Sequence, residues 1–169
     1  MARTYLRKNQ MSLPKISIGM ASRGYDISPT VMTFIFNTSL KYNANLICVS
    51  CGFSAAIAQE SVFQQAVKTK CDYLLIVDTD VTPPKDALDK LLACNKDIVS
   101  APVWHYNSGL EMIHLNTVIT LNNYMFKEKT SGVEEIEATS FGCILISNKV
   151  LQAFANKKES FTNWSPLLD

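Results

Sequence analysis

A charge imbalance is the first thing this chain lacks. Its 16 Lys and Arg stand against 15 Asp and Glu, a formal net charge of +1. A surface so nearly neutral has no broad basic field to draw in a polyanion, so charge gives no support to a nucleic-acid partner. Long apolar runs are missing too, and the longest fall far short of the roughly 20 residues a membrane-spanning helix needs. The opening MARTYLRKNQMSLPK is basic but has no apolar stretch, so it does not read as a signal peptide and is expected to be a short terminal arm. Five cysteines (Cys48, Cys51, Cys71, Cys94, Cys143) are an odd number, set mostly in apolar segments. That fits a reducing, cytoplasmic setting better than a disulfide scaffold. Cys48 and Cys51 form a C-x-x-C, but inside a strand-like LICVSC rather than at the start of a helix, where a thiolate would be stabilised. No second pair completes a zinc site, so these are read as ordinary core thiols. Linker composition, internal repeats and low-complexity tracts are absent as well, which leaves a single domain over residues 1–169.

What is present is apolar and globular in pattern. Hydrophobic residues make up 47% of the chain and charged residues 18%, too apolar a balance for disorder. KISIGM, Lys15 to Met20, reads as a first strand, and the polar loop ASRGYD follows. Ser28-Pro29 then offers a cap with proline at the first helical position, and Val31, Phe34, Ile35 and Thr38 recur at helical spacing up to about Tyr42. Leu46 to Cys51 is a short apolar strand. Ser54 precedes a helix whose Ala55, Ala58, Val62 and Ala66 form a narrow stripe of small residues. Tyr73 to Val77 is continuously apolar, as expected of a strand covered on both faces. Thr82-Pro83 repeats the cap signal, with Leu88, Leu91 and Leu92 as the buried side of a third helix, and Asp97 to Val103 reads as the next strand. Strand and helix alternate up to this point, which predicts an α/β sheet with right-handed crossovers.

The second half changes character. Ile113, Leu115, Thr117, Ile119 and Leu121 alternate with His114, Asn116, Val118, Thr120 and Asn122, the period of a half-buried strand. A turn at Asn122-Asn123 would return YMFKEK beside it. VEEIEATSF is a further short strand, GCILIS a firm one, and Ser147 to Lys157 a final helix with Val150, Leu151 and Phe154 inward. Antiparallel ribbons are thus expected on a mostly parallel core.

Within that frame LLIVDTDVTPP, Leu74 to Pro84, places Asp78 and Asp80 just past the carboxyl end of a central strand, where open α/β sheets bind ligands. Residues i and i+2 of an extended segment point the same way, so the two carboxylates would converge if strand geometry persisted through Thr79. A divalent cation would cancel their repulsion and hold a diphosphate as well. A polar turn at a strand end is the alternative that needs no function.

LLIVDTDVTPPKDALDKLL followed by NKDIVSAPV resembles the donor-binding half of glycosyltransferases of the GT-A fold, especially the family 2-like group. KISIGMASRG is similar to their first strand and nucleotide-contacting loop, and ATSFGCILISNKVLQAF to their later glycine-containing strand and helix. The likeness spans roughly Lys15 to Phe154, most of the chain. It implies a three-layer α/β/α, Rossmann-like fold and transfer of a sugar from a nucleoside diphosphate sugar to an acceptor hydroxyl, with Mn²⁺ or Mg²⁺ as cofactor. Carried over, Asp78 would lie near the ribose or the metal and Asp80 would ligate the metal directly. Ala21, Ser22, Arg23 and Asp26 would line the nucleotide pocket, and Phe141 and Gly142 would border the sugar or acceptor. Two departures stand out. Gln59-Glu60 occupies the place where many relatives carry Arg-Asn. The sequence also stops at FTNWSPLLD, short of the relatives' C-terminal acceptor-side segment with its acidic pair and metal-binding histidine. No catalytic base is therefore assigned, and a nucleotide-binding or interaction module that keeps the scaffold without catalysis is the alternative. Nucleotidyl transfer fits less well, because SRGYD is not the glycine-rich, basic loop such enzymes use.

His105 follows the fourth strand and is a further candidate metal or acceptor contact, with Trp104 and Tyr106 as a sugar-stacking platform or simple sheet-edge cover. His114 is expected on a polar strand face, and Glu134, Glu135 and Glu137 on a solvated ribbon.

Overall fold

The computed structural model describes residues 13–22, 24, 27–52, 54–107, 112–115, 117–118, 132–133, 135–136, 138–139 and 141–156. In chain order the elements are β1 (Ile16–Ser22), α1 (Pro29–Tyr42), β2 (Asn45–Ser50), α2 (Ala55–Thr69), β3 (Tyr73–Val77), α3 (Ala87–Ala93), β4 (Ile98–Ser100), β5 (Trp104–Asn107), β6 (Met112–Leu115), β7 (Thr117–Val118), β8 (Ala138–Thr139), β9 (Cys143–Ser147) and α4 (Asn148–Asn156). Five strands make one sheet in the order β2-β1-β3-β9-β4. β1 is parallel to both β2 and β3, whereas β9 runs antiparallel between β3 and β4. The sheet is thus mixed: four of its five strands run the same way, as expected of a largely parallel core, and a late strand running against them separates the third from the fourth.

The layers follow from the strands' period of two. Ile16, Ile18 and Met20 of β1, Leu75 and Val77 of β3 and Leu145 of β9 meet Val31, Phe34 and Ile35 of α1 and Leu88 and Leu91 of α3. Leu74 and Ile76, with Ile144 and Ile146, meet Val62 and Ala66 of α2 and Leu151 of α4 on the other face. This is a three-layer α/β/α arrangement with an apolar core on each side of the sheet. The small-residue stripe of α2 brings that helix close: a Cβ on Gly19 would run into Val62 Cγ1. Only glycine lets helix and sheet approach so far. The one polar side chain that β1 buries, Ser17, shares a hydrogen bond of 2.9 Å with the Thr69 hydroxyl, which donates on to the Ala66 carbonyl.

Several local expectations shift, each for a physical reason. α3 begins at Ala87, not at Thr82-Pro83. Pro84 disfavours helical geometry at the residue before it, so Pro83 cannot open the helix, and the chain needs another turn before it can wind. β4 is confined to Ile98–Ser100, because the ladder closes with Ala101 N–H on the Cys143 carbonyl and Pro102 has no N–H to continue it. The alternating run after Met112 divides into β6 and β7. β6 pairs with β5, a segment without a strand signal of its own, and β7 with β8. YMFKEK lies outside the described residues. Cys48 is exposed and Cys51 half-buried, since β2 is an edge strand, so the C-x-x-C is not a pair of core thiols; no disulfide forms among the described residues. Phe154 is 48% exposed, although its ring lies 5.8 Å from that of Phe63. No helix among the described residues is long and apolar enough to cross a membrane.

Candidate functional site

β1, β2, β3 and β4 all end at one edge of the sheet, and β9, running the other way, begins there. That edge gathers Ala21 and Ser22, Ser50, Asp78, and Phe141 with Gly142. A hollow of about 280 Å³ opens at the ends of β1 and β2, lined by Met20, Ser22, Gly24, Ile27, Val49 and Ser50 among others. Its rim is tied together by backbone: Cys51 N–H donates to the Ser22 carbonyl at 2.9 Å, and Gly24 N–H to the Ser22 hydroxyl at 3.0 Å. Gly24 has φ of +92°, a conformation side-chain-bearing residues rarely adopt. Arg23 and Asp26 lie outside the described residues.

The aspartates do not continue the strand. β3 ends at Val77, Asp78 N–H donates to the Gly142 carbonyl at 3.0 Å, and Val81 N–H donates back to the Asp78 carbonyl at 3.3 Å. Asp78-Thr79-Asp80-Val81 is therefore a β-turn. The same-face argument from strand period does not apply, and turn geometry decides where the two carboxylates lie. The turn is anchored from a second side, because Ser28 N–H at the start of α1 donates to the Thr79 carbonyl at 3.1 Å. Asp78 is half-buried and Asp80 exposed. Burial pushes the Asp78 carboxyl above the usual carboxylate range, and the negative charge of Asp80 pushes the same way. Among the described residues no lysine or arginine pairs with either carboxylate. Cys143, beneath Asp78, has its thiol driven up to about 12, first by burial and then by the Asp78 charge, so it is no nucleophile near neutrality.

Local chemistry around the turn went unnoticed in the sequence. Ser28, Thr30 and Thr82 form a chain of hydroxyls, each link 2.8 Å, that bridges the start of α1 to the segment after Asp80. Ser28-Pro29 and Thr82-Pro83 signalled helix caps; instead Ser28 makes no side-chain capping bond and turns its hydroxyl to Thr30. The first turn of α1 holds no acidic residue of its own, and the positive end of its dipole lies beside the aspartate turn.

On the far side of the turn the space is filled. A Cβ on Gly142 would lie 2.7 Å from Val103 Cγ2 and 3.2 Å from Val81 Cγ2, so this glycine serves close packing. Phe141 turns edge-on to Phe63 at 6.2 Å between ring centres. His105 lies in β5, opposite His114 in a two-stranded sheet separate from that of β3. Glu134 and Glu137 lie outside the described residues; Glu135 is exposed.

Asp78 is half-buried, disfavoured as an anion, and without a cationic partner among the described residues. Among the described residues no group of three or more His, Cys, Asp or Glu could hold a metal by itself.

No protein-family model and no curated protein matches the chain. Among solved structures, the crystal structure of A197 from STIV is similar to it with a TM-score of 0.56 at 17% identity, covering 82% of this chain and 67% of that one. At that identity the likeness speaks for fold alone. The fold is a three-layer α/β/α, Rossmann-like arrangement of the GT-A type.

Proposed function

We propose that the chain is a nucleotide-binding module on a GT-A scaffold, taking the nucleoside diphosphate part of a nucleotide sugar at the carboxyl edge of its sheet. The observation that carries this reading is the hollow at the ends of β1 and β2, at the same sheet edge as a half-buried carboxylate that has no cationic partner among the described residues. The hollow, with Ala21 and Ser22 on its strand, takes the nucleoside. Asp78 and Asp80 hold Mn²⁺ or Mg²⁺, which when bound neutralises the diphosphate. The amino end of α1, with the Ser28, Thr30 and Thr82 hydroxyls, adds donors for phosphate oxygens. Calorimetry with UDP, GDP and CDP in Mn²⁺ is the test. Binding of at least one, dependent on the cation and lost in Asp80→Ala, is expected; no heat above the buffer control for any of them, with folded protein, would overturn it.

A second reading keeps catalysis: metal-dependent transfer of the sugar to an acceptor hydroxyl, as in the family 2-like enzymes. The pair of aspartates favours it, since a cation there would stabilise a departing diphosphate. No described residue stands as the general base such transfer needs. Donor hydrolysis or transfer that Asp80→Ala abolishes would establish this reading over the first; donor binding without turnover, acceptors included, would exclude it.

A further inference from the structure

The five-stranded sheet ends in β2 on one side and β4 on the other, and the two edges are built differently. β4 is three residues long, follows Lys96-Asp97 and is closed off by Pro102, devices that keep an edge from pairing with another chain. β2 has six residues, NLICVS, with no charge and no proline, and its unbroken register with β1 leaves no bulge. Among the described residues no strand pairs with its outer side. One face of β2 is covered, because Ile47 and Val49 pack with Val62 and Ala66 of α2. Leu46 and Cys48 point to the opposite face and are exposed.

We infer that β2 is a two-fold interface, pairing antiparallel with β2 of a second copy of the chain to make one continuous ten-stranded sheet. α2 lies over β1 and β2, so the two copies of α2 would stand two strand spacings apart, about 9.6 Å. Packed helices stand about 8–10 Å apart, so the helices meet when the strands do. The flank that α2 offers is suited to this. Its Phe63 side turns to Phe154 of α4, which leaves Ile57, Ser61, Gln65 and Lys68 along the side toward the open edge. Val62 lies on Gly19, and Gly19 pairs with Ile47, so a two-fold axis through the middle of β2 passes at the level of Ser61. A small, uncharged side chain thus sits where the helices cross.

Charge selects a second copy as the partner. The strand is uncharged, and the antiparallel arrangement sends the two Lys68 to opposite ends of the helix pair, so no like charges are opposed. At a net charge of +1 the copies do not repel each other. Pairing also brings Leu46 and Cys48 of one copy beside those of the other, covering the exposed face of both. Such a self-complementary contact closes on itself as a dimer. The interface does not rest on the nucleotide reading.

Sedimentation velocity on the full chain over a range of concentrations tests it. A species of twice 18.8 kDa is expected. Leu46→Lys and Ser61→Lys each set two lysines near the axis and should weaken the dimer at least about a hundredfold, whereas Ile98→Lys on the exposed β4 edge should leave it unchanged. Circular dichroism confirms that each variant is folded. Amide hydrogen exchange gives a second readout: outward-facing amides within Asn45–Ser50 should be protected in the dimer and lose that protection on dilution. A monomer at every concentration would overturn the interface, as would assemblies that grow beyond a dimer. So would a dimer that survives both Leu46→Lys and Ser61→Lys, or one that Ile98→Lys dissolves equally.

Discussion

The two ends of the sheet treat their carboxylates in opposite ways. At the amino end of β3, Asp72 accepts the Lys15 backbone N–H at 2.7 Å, and Asp97 accepts from the Ser147 hydroxyl at 2.9 Å and Lys149 at 2.6 Å. On that side too, Asp89 of α3 takes Lys41 and the Tyr42 hydroxyl from the end of α1. Lys149 and Ser147 hold Asp97 below the usual carboxylate range, and Lys41 and Tyr42 do the same for Asp89. At the carboxyl end Asp78 is pushed the other way. The larger hollow, about 690 Å³, lies at the amino end between Leu13, Tyr42, Asp72 and Lys149. Room alone would select that end. Charge marks the other, where the Asp78 carboxyl is pushed up and has no cationic partner among the described residues; such shifted groups are candidates for a functional site.

The largest effect that would break this contrast is on binding. Asp80→Ala should weaken cation-dependent nucleotide binding at least about a hundredfold, about 2.7 kcal/mol, whereas Asp97→Asn should leave it unchanged; calorimetry in Mn²⁺ reads both. Next comes packing at the carboxyl end. Gly142→Ala should cost about 1–3 kcal/mol by overpacking against Val103, and Val103→Ala combined with it should return part of that loss in urea unfolding. Equal stability of Gly142→Ala and the unmodified chain would mean the corner is open to a ligand after all.

Smaller effects sharpen the comparison of carboxylates. Tyr42→Phe removes a hydroxyl that donates to Asp89 and should lower stability by about 1 kcal/mol. Tyr42 itself, raised to about 12 by burial first and then by Asp89, stays protonated across the neutral range. Asp78→Asn should act with opposite sign and raise the melting temperature of the metal-free protein, by about 2–4 °C if about 1 kcal/mol is relieved, while removing cation-dependent binding. The smallest effect is on pH. Asp78 has a raised folded pKa, so its ionisation costs stability above the ordinary carboxylate range and protonation relieves it. Asp89 and Asp97 have lowered folded values, so their contribution is present above that range and fades as pH falls through the depressed values, screened because both are largely exposed. Metal-free protein taken down from pH 7 should therefore gain slightly in stability before it loses it. Asp78→Asn should show only the loss.

Most of the core was legible because its signals are local. Pro29 and Val31, Phe34 and Ile35 were enough to place α1, and Tyr73 to Val77 read as a doubly covered strand and is one, with Leu75 and Val77 on one face and Leu74 and Ile76 on the other. Ala58, Val62 and Ala66 identified the face of α2 that lies on Gly19. The candidate site was legible in place but not in geometry. Asp78 and Asp80 were expected at a strand end and are found there, but the expectation of a continuing strand missed the turn, whose hydrogen bonds come from Gly142 and Ser28, remote in sequence.

By itself the sequence determined which segments wind and which extend in the α/β core, because hydrophobic period, proline and glycine act over a few residues. It also determined that two carboxylates follow the central strand. Tertiary structure alone decided that β9 enters antiparallel between β3 and β4, that the aspartates sit in a turn clamped from two sides, and that carboxylates at the amino end meet cationic partners while Asp78 meets none among the described residues. Each of those rests on pairing between segments far apart in the chain. The residues concerned carry the same local pattern whichever partner they meet, so only the assembled sheet distinguishes the partners.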